Sequence, residues 1–371
     1  MKIVHLTSAH PRYDTRIFLK MCRSLAAHGH EVTLVVADGK GDEVRDGVAI
    51  LDVGASSGRL DRMTAAPGRV YRRARRIAAD IYHLHDPELL PIARGLKRGR
   101  ANILFDSHEH YSAAMFSKPY IPGPLRPLVS GMFGLYERLV CKGLDGVIAA
   151  TPSIRDNFTR MGIPCLDVNN YPMTDELVSD VTDRAKNIEV CYIGGISILR
   201  GIRKVVGAMG QAASGARLSL GGPFESEATK AEVSAMSGWA MVDDLGVLSR
   251  LEVRDVMARS LAGIVTFLPE PNHVSAQPNK MFEYMSAGLP VIASNFPLWR
   301  EIIQGNDCGL CVDPLDPAAI AAAVDYFAAN PEEVRRMGAN GRKAVIERYN
   351  WDAEERKLLD FYNTLPAVCR G

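Results

Sequence analysis

The stretch Gln277-Pro-Asn-Lys-Met-Phe-Glu-Tyr-Met-Ser-Ala-Gly-Leu-Pro-Val-Ile-Ala-Ser294 sets one lysine and one glutamate inside an apolar run. Pro278 suits a first helical turn, where its missing N–H is not needed. Met281, Tyr284 and Met285 supply an apolar face, and Gly288 with Pro290 stops the helix. Residues 289–294 then read as a short buried strand. On that helix Lys280 and Glu283 are three positions apart and share a face. An exposed pair there would contribute only about 0.2–1 kcal/mol. The surrounding sequence decides what else the pair is for.

Working outward, the same alternation of strand and helix fills the chain. Strands at 189–195, 217–222, 240–245, 262–268 and 290–294 alternate with helices at about 200–213, 225–237, 250–260, 278–287 and 297–304. An earlier set of β-rich runs lies at 2–8, 31–38, 81–86, 102–108 and 146–151. Helical patterns at 15–28, 67–79, 87–98 and 125–142 accompany them. Such alternation implies parallel sheets covered on both faces. The fold class is therefore α/β, as two tandem Rossmann-like doubly wound domains, 1–170 and 171–350. The polar Val168-Asn-Asn-Tyr-Pro-Met-Thr174 is the hinge between them. A chain of 371 residues is long enough for both.

Composition narrows the function classes. At 47% apolar and 23% charged the chain is globular, and no apolar run has the roughly 18 residues of a membrane span. The N-terminus enters a strand directly, without a signal-peptide pattern, so a cytoplasmic location is expected. Seven scattered cysteines read as reduced core residues. Cys308-Gly-Leu-Cys311 has no second pair to complete a zinc site. A net charge of +1 argues against nucleic acid as a partner. Residues 1–168, however, carry 24 Lys and Arg against 17 Asp and Glu, and residues 169–371 carry 20 against 26. The basic half is suited to an anion or an anionic surface.

In open parallel sheets ligands bind beyond the carboxyl ends of the strands. Polar residues gather there. In the first half they are His10, Asp14 and Arg16, then His85 and Asp86, then Asp106, Ser107, His108, Glu109 and His110. In the second half Gly194-Gly-Ile-Ser-Ile-Leu-Arg-Gly201 follows a strand, Gly222 and Gly246 follow two more, and the 269–280 loop a fourth. Two facing domains would gather these edges at an interdomain cleft. The first βα turn lacks GxGxxG, against a dinucleotide dehydrogenase. His83, His85, His108 and His110 carry metal binding as a competing reading.

Gly194–Gly201, Pro278-Asn-Lys-Met-Phe-Glu-Tyr-Met-Ser-Ala-Gly-Leu-Pro290 and the final Trp351 helix, in this order and spacing, resemble the retaining GT-B glycosyltransferases of the group 1 superfamily, family 4 type. The resemblance spans essentially the whole chain. It implies transfer of a sugar from a UDP- or GDP-sugar, held mainly by the C-terminal domain. The acceptor, a saccharide or a lipid-linked one, is held by the N-terminal domain. Lys280 and Arg200 would meet the charge that builds on the β-phosphate, and His108 would lie beside the reacting sugar. Glu283 would accept from the ribose diol with its two oxygens. Gly194, Gly195, Ser197, Gly222, Gly246, Ser275, Ala276 and Asn279 would line the donor site. His10, Asp14, Arg16, Asp86 and Glu109 are acceptor-side candidates, with Asp86 or Glu109 placed to take the acceptor's proton. Metal is not expected, because protein cations take its place.

The sequence departs from that family twice. Gly195 stands where an arginine is commoner, and Ser275 where a second glutamate contacts the donor sugar. Alternatives are a nucleotide-sugar epimerase or hydrolase, and a non-catalytic sugar-nucleotide binder. The terminal helix, about 351–365, is expected to pack back on the first domain. The setting the resemblance implies is synthesis of a cell-surface polysaccharide or glycolipid. Arg69, Arg72, Arg73, Arg75 and Arg76, with the amphipathic 125–144 segment, read either as a solvated face beside a core helix or as a surface for anionic lipid. The second reading would put the protein at the inner face of the plasma membrane.

Overall fold

The computed structural model describes residues 1–97, 101–115, 121–174, 177 and 186–366. Its first sheet contains β1 (Lys2–Leu6), β2 (Glu31–Val36), β3 (Glu43–Arg45), β4 (Val48–Asp52), β5 (Ile81–Leu84), β6 (Asn102–Ser107), β7 (Gly146–Ala149) and β8 (Cys165–Asp167). The strand order is β3-β4-β2-β1-β5-β6-β7-β8, and every pairing but β3–β4 is parallel. Strands β5, β6 and β7 are buried along their length, as strands covered by helices on both faces must be. The second sheet contains β9 (Glu189–Ile193), β10 (Arg217–Gly221), β11 (Val242–Gly246), β12 (Ala262–Val265), β13 (Val291–Ser294) and β14 (Gly309–Val312). Its order is β11-β10-β9-β12-β13-β14, parallel throughout. Each sheet reverses its winding direction once, between β1 and β5 and between β9 and β12. Those two crevices are where a doubly wound sheet receives its ligand.

Contacts divide the chain into two units, Met1–Asn170 with the segment from Asp352 onward, and Tyr171–Trp351. The helix Trp351–Thr364 thus lies, from its second residue, in the first unit. Leu358 and Tyr362 are fully buried there, each contributing on the order of 1.5–3 kcal/mol of burial. Glu354 Oε2 accepts the Asn169 backbone N–H at 2.7 Å. Tyr362 Oη shares a 2.6 Å hydrogen bond with His83 Nδ1. Gly146 has no side chain because the Phe361 ring fills that space: a Cβ would stand 2.7 Å from Phe361 Cζ.

Some elements differ from the sequence reading. β3 is a three-residue polar edge strand and β8 is also three residues long, too short for an alternation to register. The helix expected from Pro67 begins at Arg59 and carries Pro67 in its interior. Asp61 in its first turn accepts the N–H of Ser57 at 3.0 Å, a favourable place for an acid. The first helical pattern is a π-helix, Thr15–Cys22, continuing as Arg23–Ala27. Cys308 and Cys311 are free thiols, and burial pushes them up to about 12 and about 11. Among the described residues no helix is long and apolar enough to cross a membrane.

Candidate functional site

In the second unit the site grows from the crevice between β9 and β12. Gly194, at φ +102, ends β9. A Cβ there would stand 3.5 Å from Lys280 Cε, and one at Gly195 would stand 2.5 Å from Arg200 Nη1. The two glycines therefore make room for two cations on one turn. Arg200 donates to the Gly195 carbonyl at 3.2 Å, and its N–H reaches Ser197 Oγ at 3.2 Å. Lys280 is buried, with Nζ 3.6 Å from the centroid of the Tyr192 ring. Among the described residues neither cation has a carboxylate partner, and Lys280 Nζ has no hydrogen-bond partner. Burial, then the charge of Arg200, pushes the Lys280 pKa well below its ordinary value, against a smaller pull from Glu283.

The other glycines build the same edge. Gly201 caps the helix Ile202–Met209 in the left-handed region, where a Cβ would strike the Thr266 carbonyl. Gly222 is packed equally tightly against the Gly194 carbonyl. Backbone bonds of 2.8 Å from Gly194 to Gly221 and 2.7 Å from Gly222 to Gly246 tie the three strand ends together. Glu283 lies on the helix Asn279–Ser286 and pairs with Arg250 at 2.9 Å. Ser275 and Ala276 are half-buried, and Asn279 is exposed. The Ala276 carbonyl accepts from Trp299 Nε1 at 2.7 Å. Thr266 Oγ1 and Gln277 Oε1 are buried without partners among the described residues.

In the first unit the site grows from the crevice between β1 and β5. A cavity of about 1240 Å³ there is lined by His10, Asp86, His108 and Glu109, with Met63, Met115, Val129 and Phe133 among its apolar walls. The His10 and His108 rings stand 4.8 Å apart. His108 donates from Nε2 to Asp106 Oδ2 at 3.0 Å. Asp106, placed at the strand end by the sequence but given no role there, is fully buried and also receives a bidentate Arg16 at 2.7 and 2.8 Å and His85 Nδ1 at 3.1 Å. Burial opposes its charge, but Arg16, His108 and His85 outweigh that and hold its pKa well below the usual carboxylate range.

Several acceptor-side candidates are occupied internally. Arg16 is buried, spent on Asp106 and on the Val168 carbonyl at 2.7 Å. Asp14 caps the helix it precedes, accepting the N–H groups of Arg16 and Ile17. Neither lines the cavity. Asp86 accepts from Thr7 Oγ1 at 2.8 Å, from the N–H of Ser8 at 2.6 Å and from His10 at 2.8 Å. Burial works against its charge, yet His10, Ser8 and Thr7 together hold its pKa low. Such a carboxylate organises the 7–10 loop and is a poor proton acceptor. His10, by contrast, is raised: burial lowers it, but Asp86 more than compensates.

Two histidine groups bring ligand atoms within 4.8 Å of one another: His5 with His83 and His85, and His85 with Asp106 and His108. Most of those atoms are already engaged. His85 Nδ1–H donates to Asp106, so its Nε2 accepts from His5 Nδ1 at 2.8 Å. Burial takes His85 down to about 3, against the opposing pull of Asp106. The Arg16 guanidinium on Asp106 opposes a dication there. His110 instead bonds Ser153 Oγ at 3.0 Å.

Comparisons with known proteins bear on the family and the fold. Residues 15–168 match the glycosyl transferase 4-like domain and residues 176–344 the glycosyl transferases group 1 domain. The alpha-maltose-1-phosphate synthase of Mycolicibacterium smegmatis is 23% identical over 70% of this chain and 76% of its own length. Sucrose-phosphate synthase from Thermosynechococcus elongatus superposes with a TM-score of 0.78 at 19% identity, over 98% of each chain. Anabaena HepE in complex with UDP-glucose superposes with 0.75 at 14% identity, over 98% of this chain and 100% of that one. At such identities the two structures show the fold.

Proposed function

From the premise that the chain belongs to the GT-B glycosyltransferases of group 1, we propose that it moves a sugar from a nucleotide-diphosphate sugar to a saccharide or lipid-linked acceptor, with retention. The observation that carries this is the convergence of Lys280 and Arg200 on the Gly194-Gly195 turn without an anion. Two like charges held together, one of them buried, are costly unless an anion joins them. A diphosphate has the required charge, and glycines that bring backbone close are suited to it.

As the glycosidic bond breaks, charge builds on the β-phosphate. Lys280 and Arg200 are already in place to meet it, so little reorganisation is needed. Glu283, held by Arg250, receives the ribose hydroxyls. Ser275 takes the place of a carboxylate near the donor sugar. In the first unit His108, fixed through Asp106, lines the cavity. Glu109 is the carboxylate best suited to receive the acceptor's proton, since Asp86 is fully occupied. HepE holds UDP-glucose, which supports a UDP-sugar as one donor, with a GDP-sugar as the other. The product belongs to cell-surface polysaccharide or glycolipid synthesis.

A thermal-shift panel of UDP-, GDP-, TDP- and ADP-sugars tests this. One base should raise the unfolding temperature in a saturable way. No shift with any of them would overturn the proposal.

A further inference from the structure

The helix Arg126–Cys141 carries apolar side chains on its outer face as well as its inner one. Its one acid, Glu137, is 2% exposed, and Oε1 has no partner among the described residues. Leu128, Met132, Leu135 and Leu139 are instead 61%, 64%, 58% and 61% exposed. Steps of four, three and four place these four side chains in one stripe along the helix. Contiguous apolar surface of this kind marks an interaction site.

The charges beside the stripe indicate the partner. Arg138 and Lys142 are exposed, lie to one side of it, and form no ion pair among the described residues. No acid is exposed on this helix. By contrast, the arginines of Arg59–Ala74 are partly committed, Arg69 to Asp61 and Arg73 to Asp42. Leucines flanked by unpaired cations suit the boundary between acyl chains and anionic headgroups. A two-fold pair of copies on the same stripe would bring four such cations together with no exposed acid to oppose them.

The inner side of this helix supplies Val129 and Phe133 to the cavity that also holds His10, His108 and Glu109. The cavity combines polar and apolar lining residues, which fits an amphiphile whose head is a sugar or phosphate.

We propose that the stripe Leu128, Met132, Leu135 and Leu139, with Arg138 and Lys142, docks on an anionic lipid bilayer and draws an amphiphilic acceptor from it. The acceptor part of this rests on the transferase reading above.

The test is co-sedimentation with vesicles of phosphatidylcholine alone and of phosphatidylcholine mixed with phosphatidylglycerol. The proteins are the full chain, a Leu128→Ser, Met132→Ser, Leu135→Ser, Leu139→Ser variant, and an Arg138→Glu, Lys142→Glu variant. All six side chains are exposed, so folding is not at stake. The full chain should bind the anionic vesicles, releasing as salt rises, and both variants should bind about tenfold more weakly or worse. Absence of binding at low salt, or equal binding by all three proteins, would overturn the docking proposal. So would light scattering that shows a dimer made monomeric by the serine variant. Thermal shift with nucleotide sugars, run on the same samples, separates the two readings. No docking by the full chain with intact donor shifts refutes docking alone, and docking by the full chain without any donor shift refutes the transferase.

Discussion

Lys280 Nζ stands 3.6 Å above the centroid of the Tyr192 ring. A desolvated cation–π contact contributes roughly 2 kcal/mol, less than the cost of burying an ammonium. The free site therefore binds this lysine's proton weakly, as burial and Arg200 dictate. A phosphate beside Nζ should raise its pKa again. Binding of UDP or GDP should thus take up protons at alkaline pH, with calorimetric enthalpies that vary with the buffer's ionisation heat. Enthalpies independent of buffer from neutral to alkaline pH would contradict this.

Glu283 is the anion of the same helix. Glu283→Gln should weaken binding of the free nucleoside diphosphate about tenfold, the worth of roughly one charge-assisted hydrogen bond. An unchanged dissociation constant would place the ribose elsewhere.

In the first unit Asp106 neutralises a buried arginine. Asp106→Asn should destabilise the protein by about 3–5 kcal/mol, because the Arg16 charge stays buried unpaired. Asp106→Leu with Arg16→Met should recover part of that loss. Denaturant titration compares them, and a single variant as stable as the parent would refute the pairing.

Glu137 sets a pH dependence. Burial raises it from 4.5 to about 7. Between those values the folded state holds the proton and the unfolded state does not. Its stabilisation is therefore complete below pH 4.5 and is lost as pH rises through 7, by about 3 kcal/mol. Glu137→Gln should flatten that slope and raise the unfolding temperature most at pH 8. An unchanged slope would contradict it.

How much of this was legible in the sequence depends on the kind of interaction. The 277–294 stretch announced helix and strand because its apolar spacing and its Gly and Pro are local signals. The parallel sheets followed from repetition of that pattern. Burial of Lys280 against Tyr192 was not legible, since the two lie 88 positions apart and only the fold brings them together. For the same reason the Asp106–Arg16 pair was passed over and Arg16 was assigned to the acceptor. Residues 125–144 show a further limit: an amphipathic pattern is the same whether its apolar face turns in or out. The structure distinguishes the two by the burial of Glu137 and the exposure of Leu128.

The central claim is that Lys280 serves the departing diphosphate. It is tested most directly by measuring nucleoside diphosphate release from the donor that the thermal-shift panel identifies, with full-length protein and with Lys280→Ala. The account predicts a fall in kcat on the order of a hundredfold to a thousandfold, the equivalent of about 3–4 kcal/mol. Donor affinity should change far less. Equal turnover by the two proteins would contradict it.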